Sequence, residues 1–209
     1  MMAFTGIPAA ALDFYEDLEN DNSKAFWAAH KHVYDEAVKA PIEALATELA
    51  TRWGEFTMFR PYRDVRFSKD KTPYKTHQGV WFGETSVYFH VSAAGLWLAG
   101  GYWQSSTPQV QRLRRAVDDD VAGPLLAKAV AGVRRKGWQV RGEQLVRVPA
   151  GYDKEHPRAE LLRHKTLTAG KEVGFPDWLH AAAARTEIAK QWRALAPLTS
   201  WLDTHVGHD

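Results

Sequence analysis

Three short apolar runs in the middle of the chain restrict the fold more than any other feature of this sequence. Residues 80–82, 86–91 and 96–102 are rich in β-branched and aromatic side chains, and turns that contain glycine separate them. Parallel neighbouring strands need a crossover of a dozen or more residues, and these turns are much shorter than that. The spacing therefore predicts antiparallel strands.

Helical patterns lie on both sides of these strands. Before them, apolar residues recur at helical spacing over residues 8–19 and 23–53, and Pro41 is expected to kink or split the second helix. After them, helices are predicted within residues 107–133 and 176–206. This order of elements indicates an α+β fold, in which N-terminal and C-terminal helices flank a mainly antiparallel sheet.

A second piece of sheet is predicted around Gly142. Residues 138–140 and 145–148 have the pattern of a hairpin that turns at this glycine. The sequence shows no internal repeat, low-complexity tract or long linker, and the apolar stripes of the first helices need the sheet to cover them. Residues 1–209 are therefore predicted to form a single domain.

The composition excludes several classes of protein. Apolar residues make up 45% of the chain and charged residues 25%, which is typical of a globular protein. The absence of cysteine excludes disulfides, thiolate catalysis and zinc–cysteine sites. No apolar run approaches the length of a membrane span, and Asp13, Glu16 and Asp17 interrupt any secretory leader. We expect a cytoplasmic protein with no membrane partner.

The charge is unevenly distributed along the chain. Residues 1–56 carry four Lys or Arg against ten Asp or Glu, whereas residues 57–78 carry six against two. An anionic partner is therefore expected to contact the basic middle. Ordinary variation in surface charge is the alternative explanation.

The basic middle begins with a strand-like alternation over residues 59–67. One predicted face carries Phe59, Arg63, Val65 and Phe67, and the other carries Arg60, Tyr62, Asp64 and Arg66. Arg63 then has apolar neighbours, where a guanidinium needs a carboxylate, a group of carbonyls or a bound anion to offset its desolvation.

A polar loop follows this predicted strand and is rich in hydrogen-bond donors. Arginine forks and lysine charges in such a loop suit phosphate, sulfate or carboxylate groups. An anionic small molecule is the first predicted ligand, and its candidate binding residues are Arg60, Arg63, Asp64, Arg66, Ser68, Lys69, Lys71, Tyr74 and Lys75.

Two other interpretations of this segment stay open. The first is binding of single-stranded nucleic acid, with Tyr62, Phe67 or Tyr74 stacking on bases. The net charge of only +2 places it second. The second is a purely structural network of arginine and aspartate side chains with no ligand. The sequence assigns neither a catalytic residue nor an oligomeric state.

Tryptophan and histidine supply the remaining candidates. Most of the nine tryptophans have core spacing, but Trp103 follows Gly100 and Gly101, where the backbone can approach a ligand, and it is a candidate binding residue. His77 and His90 are candidate acid–base groups, with a surface role as the alternative. No pairing of histidines has metal-ligand spacing, so neither a metal nor a cofactor is predicted.

The run RDVRFSKDKTPYK, residues 63–75, resembles the signature of a conserved bacterial and fungal family of unknown function. Further matches to that family occur at residues 18–27, 100–103, 145–153 and 156–165, although Phe26-Trp27 stands in the reverse of the expected order. The resemblance implies that the central motif matters, and it implies no activity.

The resemblance and a predicted turn together suggest a third group of candidate residues. The segment 148–157 joins a predicted strand to a predicted helix through a turn. We expect it to fold against the basic loop, which would bring Tyr152 and His156 near Arg63 or Lys75.

Overall fold

The structure is a computed structural model that describes residues 3–66 and 68–208. Its helices are α1 (Ala9–Asn20), α2 (Lys24–Val33), α3 (Ala40–Trp53), α4 (Thr107–Asp118), α5 (Ala122–Arg135), α6 (Ala159–Leu162), α7 (Ala184–Arg193) and α8 (Ala196–His205). Its strands are β1 (Phe56–Met58), β2 (His77–Phe82), β3 (Val87–Ser92), β4 (Gly95–Tyr102), β5 (Gln139–Arg141) and β6 (Leu167–Gly174).

The strands form one sheet in the order β1-β2-β3-β4-β6-β5. Strand β2 pairs antiparallel with β1 and with β3, so that Val80 lies opposite Met58 on one side and Phe89 on the other. The ladder between β5 and β6 is also antiparallel. The predicted α+β class and the three predicted central strands are therefore confirmed.

The chain divides into two compact units. The first unit contains Met1–Leu98 and Glu172–Lys190, and the second contains Ala99–Lys171 and Gln191–Asp209. Strands β4 and β6 and helix α7 each contribute residues to both. The single domain predicted over residues 1–209 stays a prediction, and the two units are described separately below.

In the first unit, the two faces of β2 and β3 have different environments. Val80, Phe82 and Phe89 are fully buried on the face against which α1 and α3 pack. The opposite face is half-buried, and it carries His77 and His90. The alternation along each strand places polar and aromatic side chains together on this second face.

The expected disturbance at Pro41 takes the form of a π-helical turn. Residues Tyr34–Lys39 form this turn between α2 and α3, and the amide of Ala40 bonds the carbonyl of Asp35. Proline has no amide hydrogen and crowds the preceding turn, so the chain widens there and the helix continues.

In the second unit, the predicted hairpin around Gly142 is wrong. Residues 145–148 form no strand, and β5 pairs with β6 instead. The amide of Leu145 donates to the carbonyl of Arg163 at 2.8 Å, which directs the segment away from β5. Strand β6 was missed because Gly170, Lys171 and Glu172 have low strand propensity.

The strand predicted over residues 59–67 is also wrong. Among the residues described there, only Tyr62 makes a bridge, to Tyr74, and Phe67 lies outside the described residues. The side chains of Asp64 and Asp70 accept hydrogen bonds from the amides two residues later, at 3.2 and 2.9 Å. Such local turns compete with a strand ladder, so the chain loops out between Tyr62 and Tyr74.

Candidate functional site

Main-chain hydrogen bonds close the basic loop, which we define as residues 63–72, at its base. The amide of Arg63 donates to the carbonyl of Pro73 at 2.9 Å, and the amide of Lys75 donates to that of Pro61 at 2.7 Å. The loop therefore leaves and re-enters the first unit at the Tyr62–Tyr74 bridge. Arg60 and Lys75 flank this base, outside the loop itself.

Two arginines of the basic loop are matched by aspartates of the same loop. The guanidinium of Arg63 bonds the carboxylate of Asp70 and the hydroxyl of Thr72. Arg66 makes a bidentate pair with Asp64, at 3.0 and 2.7 Å. The amide of Thr72 and the guanidinium of Arg63 lower the pKa of Asp70 to about 2. From the sequence, Arg63 was expected to contact a carboxylate, a group of carbonyls or a bound anion. The structure shows the carboxylate.

The remaining polar residues of the basic loop differ in how firmly they are held. The ammonium group of Lys71 donates to the carbonyl of Val65 at 2.9 Å, and the amide of Ser68 donates to the same carbonyl at 3.3 Å. Lys69 is exposed, and no side-chain partner of Lys69 occurs in the described part of the chain.

Tyr74 anchors the end of the motif to the N-terminal helices. Asn22 accepts a hydrogen bond from the amide of Tyr74 at 3.0 Å and donates one to its carbonyl at 3.1 Å. The buried ring of Tyr74 stacks on Trp27, with centroids 4.2 Å apart and planes at 8°. Tyr74 was proposed as a ligand-binding residue, and in this structure its contacts hold the fold together.

A group of rings covers the half-buried face of the sheet in the first unit, and we call it the ring face: Phe59, His77, Tyr88, His90 and Trp97. The imidazoles of His77 and His90 lie 4.7 Å apart, and that of His90 stacks on Trp97 at 5.2 Å. The hydroxyl of Tyr88 is 3.2 Å from Nδ1 of His90. Adjacent strands bring these side chains together because β2 and β3 pair in register and β4 follows β3.

Glycine at position 79 makes room for one of these rings. Gly79 lies opposite His90 in the ladder, and a Cβ atom there would be 2.4 Å from the hydroxyl of Tyr88. The absence of a side chain therefore lets the Tyr88 ring lie across β2 and reach His90.

A buried polar chain fixes Phe59 at the edge of the ring face. The hydroxyl of Tyr34 donates to the buried carboxamide of Gln78 at 2.7 Å, and Gln78 donates to the carbonyl of Phe59 at 2.6 Å. The ammonium group of Lys75 lies over the Phe59 ring, 5.3 Å from its centroid. Lys75 is thereby held beside the rings.

Arg60 and Lys75 form the cationic edge of the ring face. Neither makes an ion pair or a side-chain hydrogen bond with any described residue. Partial burial and then the charge of Arg60 lower the pKa of Lys75. The charge of Arg60 therefore acts on Lys75. Arg60 also adds to the lowering of the pKa of Asp64, which the hydrogen bonds from Arg66 dominate.

The histidines of the ring face are neutral near pH 7. Burial and then the charge of Lys75 lower the pKa of His77. Burial and then the neighbouring His77 lower the pKa of His90 to about 3. Neutral imidazoles can donate one hydrogen bond and accept another, and a bound anion would favour their protonation.

Three predicted site residues belong to the second unit. Trp103 is 54% exposed and lines a cleft there. His156 accepts from the amide of Arg158 at 3.0 Å and lies 3.4 Å from the carboxylate of Asp118, while Tyr152 is half-buried in a turn. Their predicted approach to Arg63 or Lys75 stays a prediction.

A family model described as a conserved hypothetical protein (DUF2461) matches residues 10–201. The chain belongs to the DUF2461 family. This confirms the family resemblance that the sequence suggested. A search of curated proteins and a search of solved structures each found no match.

Two further findings describe this DUF2461 chain. Within residues 3–66 and 68–208, no helix has the length and apolar character needed to span a bilayer. Over the same residues, no group of three or more His, Asp or Glu is arranged to hold a metal ion.

Only part of the ring face of this DUF2461 chain was predicted from the sequence. His77 and His90 were predicted as candidates, and the ladder brings them together. Phe59, Tyr88 and Trp97 were missed because aromatic residues on strands usually belong to the core. The available signal was the alternation along β3, which places Tyr88 and His90 on one face.

Proposed function

We propose that the ring face, with Arg60 and Lys75 at its edge, binds a small aromatic molecule that carries a phosphate or a similar doubly charged group. The anion would lie between Arg60 and Lys75, within hydrogen-bonding reach of His77. The aromatic part would pack on Phe59 and the neighbouring rings. The proposal refines the anionic ligand expected from the sequence.

The main support for this proposal is that some cationic side chains of this region pair with a carboxylate and others do not. Arg63 and Arg66 each face an aspartate, whereas Arg60 and Lys75 have no carboxylate partner among the described residues. Two positive charges at the edge of half-buried rings suit a dianion, because the anion would offset their repulsion and the partial loss of hydration of Lys75, while Arg60 is exposed.

The rings support an aromatic ligand over a bare anion. Edge-to-face and offset contacts between rings are favourable, and the ring face already contains several such pairs. An added ring extends this arrangement and excludes water from the anion, which strengthens its contacts with the two cations.

Binding of single-stranded nucleic acid is less well supported. That interpretation relied on several free basic residues along the motif, and Asp70 and Asp64 neutralise two of the arginines. Stacking by Tyr74 is also opposed by its burial under Trp27.

Isothermal titration calorimetry with phenyl phosphate, inorganic phosphate and phenol tests the proposal. We expect phenyl phosphate to bind most tightly and phenol most weakly. Arg60→Gln and Lys75→Gln should each weaken phenyl phosphate binding about tenfold or more, since each removes a charged hydrogen bond. Lys69→Gln is the matched control and should leave the affinity unchanged. Equal affinity in Lys75→Gln and wild type would overturn the proposal.

A further inference from the structure

A second site candidate lies in the second unit, in a cleft of about 980 Å³. Trp103 and Gln104 line it, together with the start of α4, Arg114 and the segments around Glu143 and Lys165. Its volume is at the upper end of the range for small-molecule sites. Trp103 is 54% exposed, which is unusual for the largest apolar side chain.

Arg114 is the most informative residue of this cleft. It is half-buried, its Nε atom is inaccessible to solvent, and no hydrogen bond or ion pair of its guanidinium occurs within the described residues. A buried Nε–H group without an acceptor is costly, because its hydration is lost and nothing replaces it. A ligand that brings an acceptor to Arg114 would remove that cost.

The other lining groups limit the charge of that ligand. Lys165 pairs with Glu143, so the two charges of that pair cancel. The start of α4 is satisfied by its own capping box, in which Ser106 and Gln109 bond each other's amides. Arg114 therefore contributes a single net positive charge, which suits one carboxylate better than a doubly charged phosphate.

The remaining surface of the cleft suits a hydroxylated ring. Side-chain amide and hydroxyl groups of Gln104, Ser105, Thr107 and Thr166 line it. Each of these groups can both donate and accept hydrogen bonds, which matches sugar hydroxyls. The exposed face of Trp103 offers a flat apolar surface on which a ring can pack.

We infer that this cleft binds a compound of the sugar-acid class, with its carboxylate on Arg114 and its ring against Trp103. The ligand class and the site both differ from those proposed for the ring face. The inference depends only on contacts within the second unit.

Calorimetry on the full chain with D-glucuronate, D-glucose and benzoate tests this inference. We expect glucuronate to bind most tightly, because it alone has both the carboxylate and the hydroxylated ring. Arg114→Met and Trp103→Ala should each weaken glucuronate binding about tenfold or more. Arg115→Met changes the exposed neighbour on the same helix and should leave the affinity within about twofold.

Substitutions in one site should not affect binding at the other, which distinguishes this cleft from the ring face. Lys75→Gln should leave glucuronate binding unchanged, and Arg114→Met should leave phenyl phosphate binding unchanged. If Arg114→Met does not fold, Arg114→Lys carries the test, since it keeps the charge and loses the planar fork. Glucuronate binding no tighter than glucose or benzoate, or unaffected by the change at Arg114, would overturn the inference.

Discussion

The carboxamide of Asn22 forms two hydrogen bonds with the main chain of Tyr74, 52 residues further along the chain. The amide of Tyr74 donates to it at 3.0 Å, and the carbonyl of Tyr74 accepts from it at 3.1 Å. This contact joins the turn before α2 to the segment that directly follows the basic loop. Because Lys75 comes next in the chain, the same contact helps to place the cationic edge of the ring face.

Replacing Asn22 should therefore destabilise the first unit. In Asn22→Ala, the amide and carbonyl of Tyr74 lose their partners in a partly buried position, which costs about 1–3 kcal/mol of unfolding free energy. Urea denaturation followed by circular dichroism measures it. Asn20→Ala is the control, since Asn20 is exposed at the end of α1, and its effect should stay within about 0.5 kcal/mol.

Gln78 should be important for stability and for the position of Phe59. Gln78→Leu leaves the hydroxyl of Tyr34 and the carbonyl of Phe59 without their partner, at an expected cost of about 1–3 kcal/mol. A double-mutant cycle with Tyr34→Phe measures the coupling in urea denaturation. Additive effects of the two changes would show that the Tyr34–Gln78 hydrogen bond contributes nothing.

Asp70 should hold the basic loop closed without contributing to global stability. It accepts bonds from Arg63 and Thr72 at the surface, so Asp70→Asn should open residues 63–72 locally. Trypsin should then cleave after Lys71 several-fold faster, while the urea midpoint stays unchanged. Asp153→Asn makes the same change at a similar turn contact elsewhere and should not affect this cleavage. Unchanged cleavage in Asp70→Asn would contradict the role.

His90 should make stability fall as the pH falls. The folded state keeps it neutral to about pH 3, the lowered pKa of this group, whereas the unfolded chain takes up a proton near its ordinary pKa of about 6.5. The unfolded state thus binds more protons between these values. The contribution of neutral His90 to the unfolding free energy is complete above the unfolded pKa. It is lost as the pH falls, by up to about 1.4 kcal/mol per pH unit.

Urea denaturation at about pH 7 and about pH 5 checks this pH dependence. His90→Gln should show a shallower loss of unfolding free energy than wild type over that range. His32→Gln, which changes an exposed histidine on α2, should keep the wild-type slope. Equal slopes in wild type and His90→Gln would contradict the burial of a neutral imidazole at this position.

Local pattern predicted the parts of this fold that depend on neighbouring residues. The glycine-separated runs around Phe89 predicted the antiparallel strands, and Pro41 predicted a break between helices. The pattern failed at residues 59–66, where alternation favoured a strand but Asp64 and Asp70 bond nearby amides instead. It failed again at β6, whose residues have weak strand propensity and depend on distant partners.

In the candidate site too, local sequence predicted some features, and others depend on residues that are distant in the chain. The motif identified the basic segment, whereas three of the rings beside it, Tyr88, His90 and Trp97, come from strands more than ten residues further along the chain. The spacing of residues in the sequence does not show which arginines and lysines pair with a carboxylate. Arg63 bonds Asp70 whereas Arg60 bonds no described carboxylate, and only the folded chain distinguishes the two.

Nitrogen-15 NMR of the histidine rings during titration with phenyl phosphate tests the central claim most directly. We predict that the imidazole signals of His77 and His90 move together and that the pKa of each rises on binding, because a nearby dianion favours the protonated form. Lys75→Gln should remove both effects. Imidazole signals that stay fixed while phenyl phosphate binds elsewhere would contradict the claim that the ring face is the binding site.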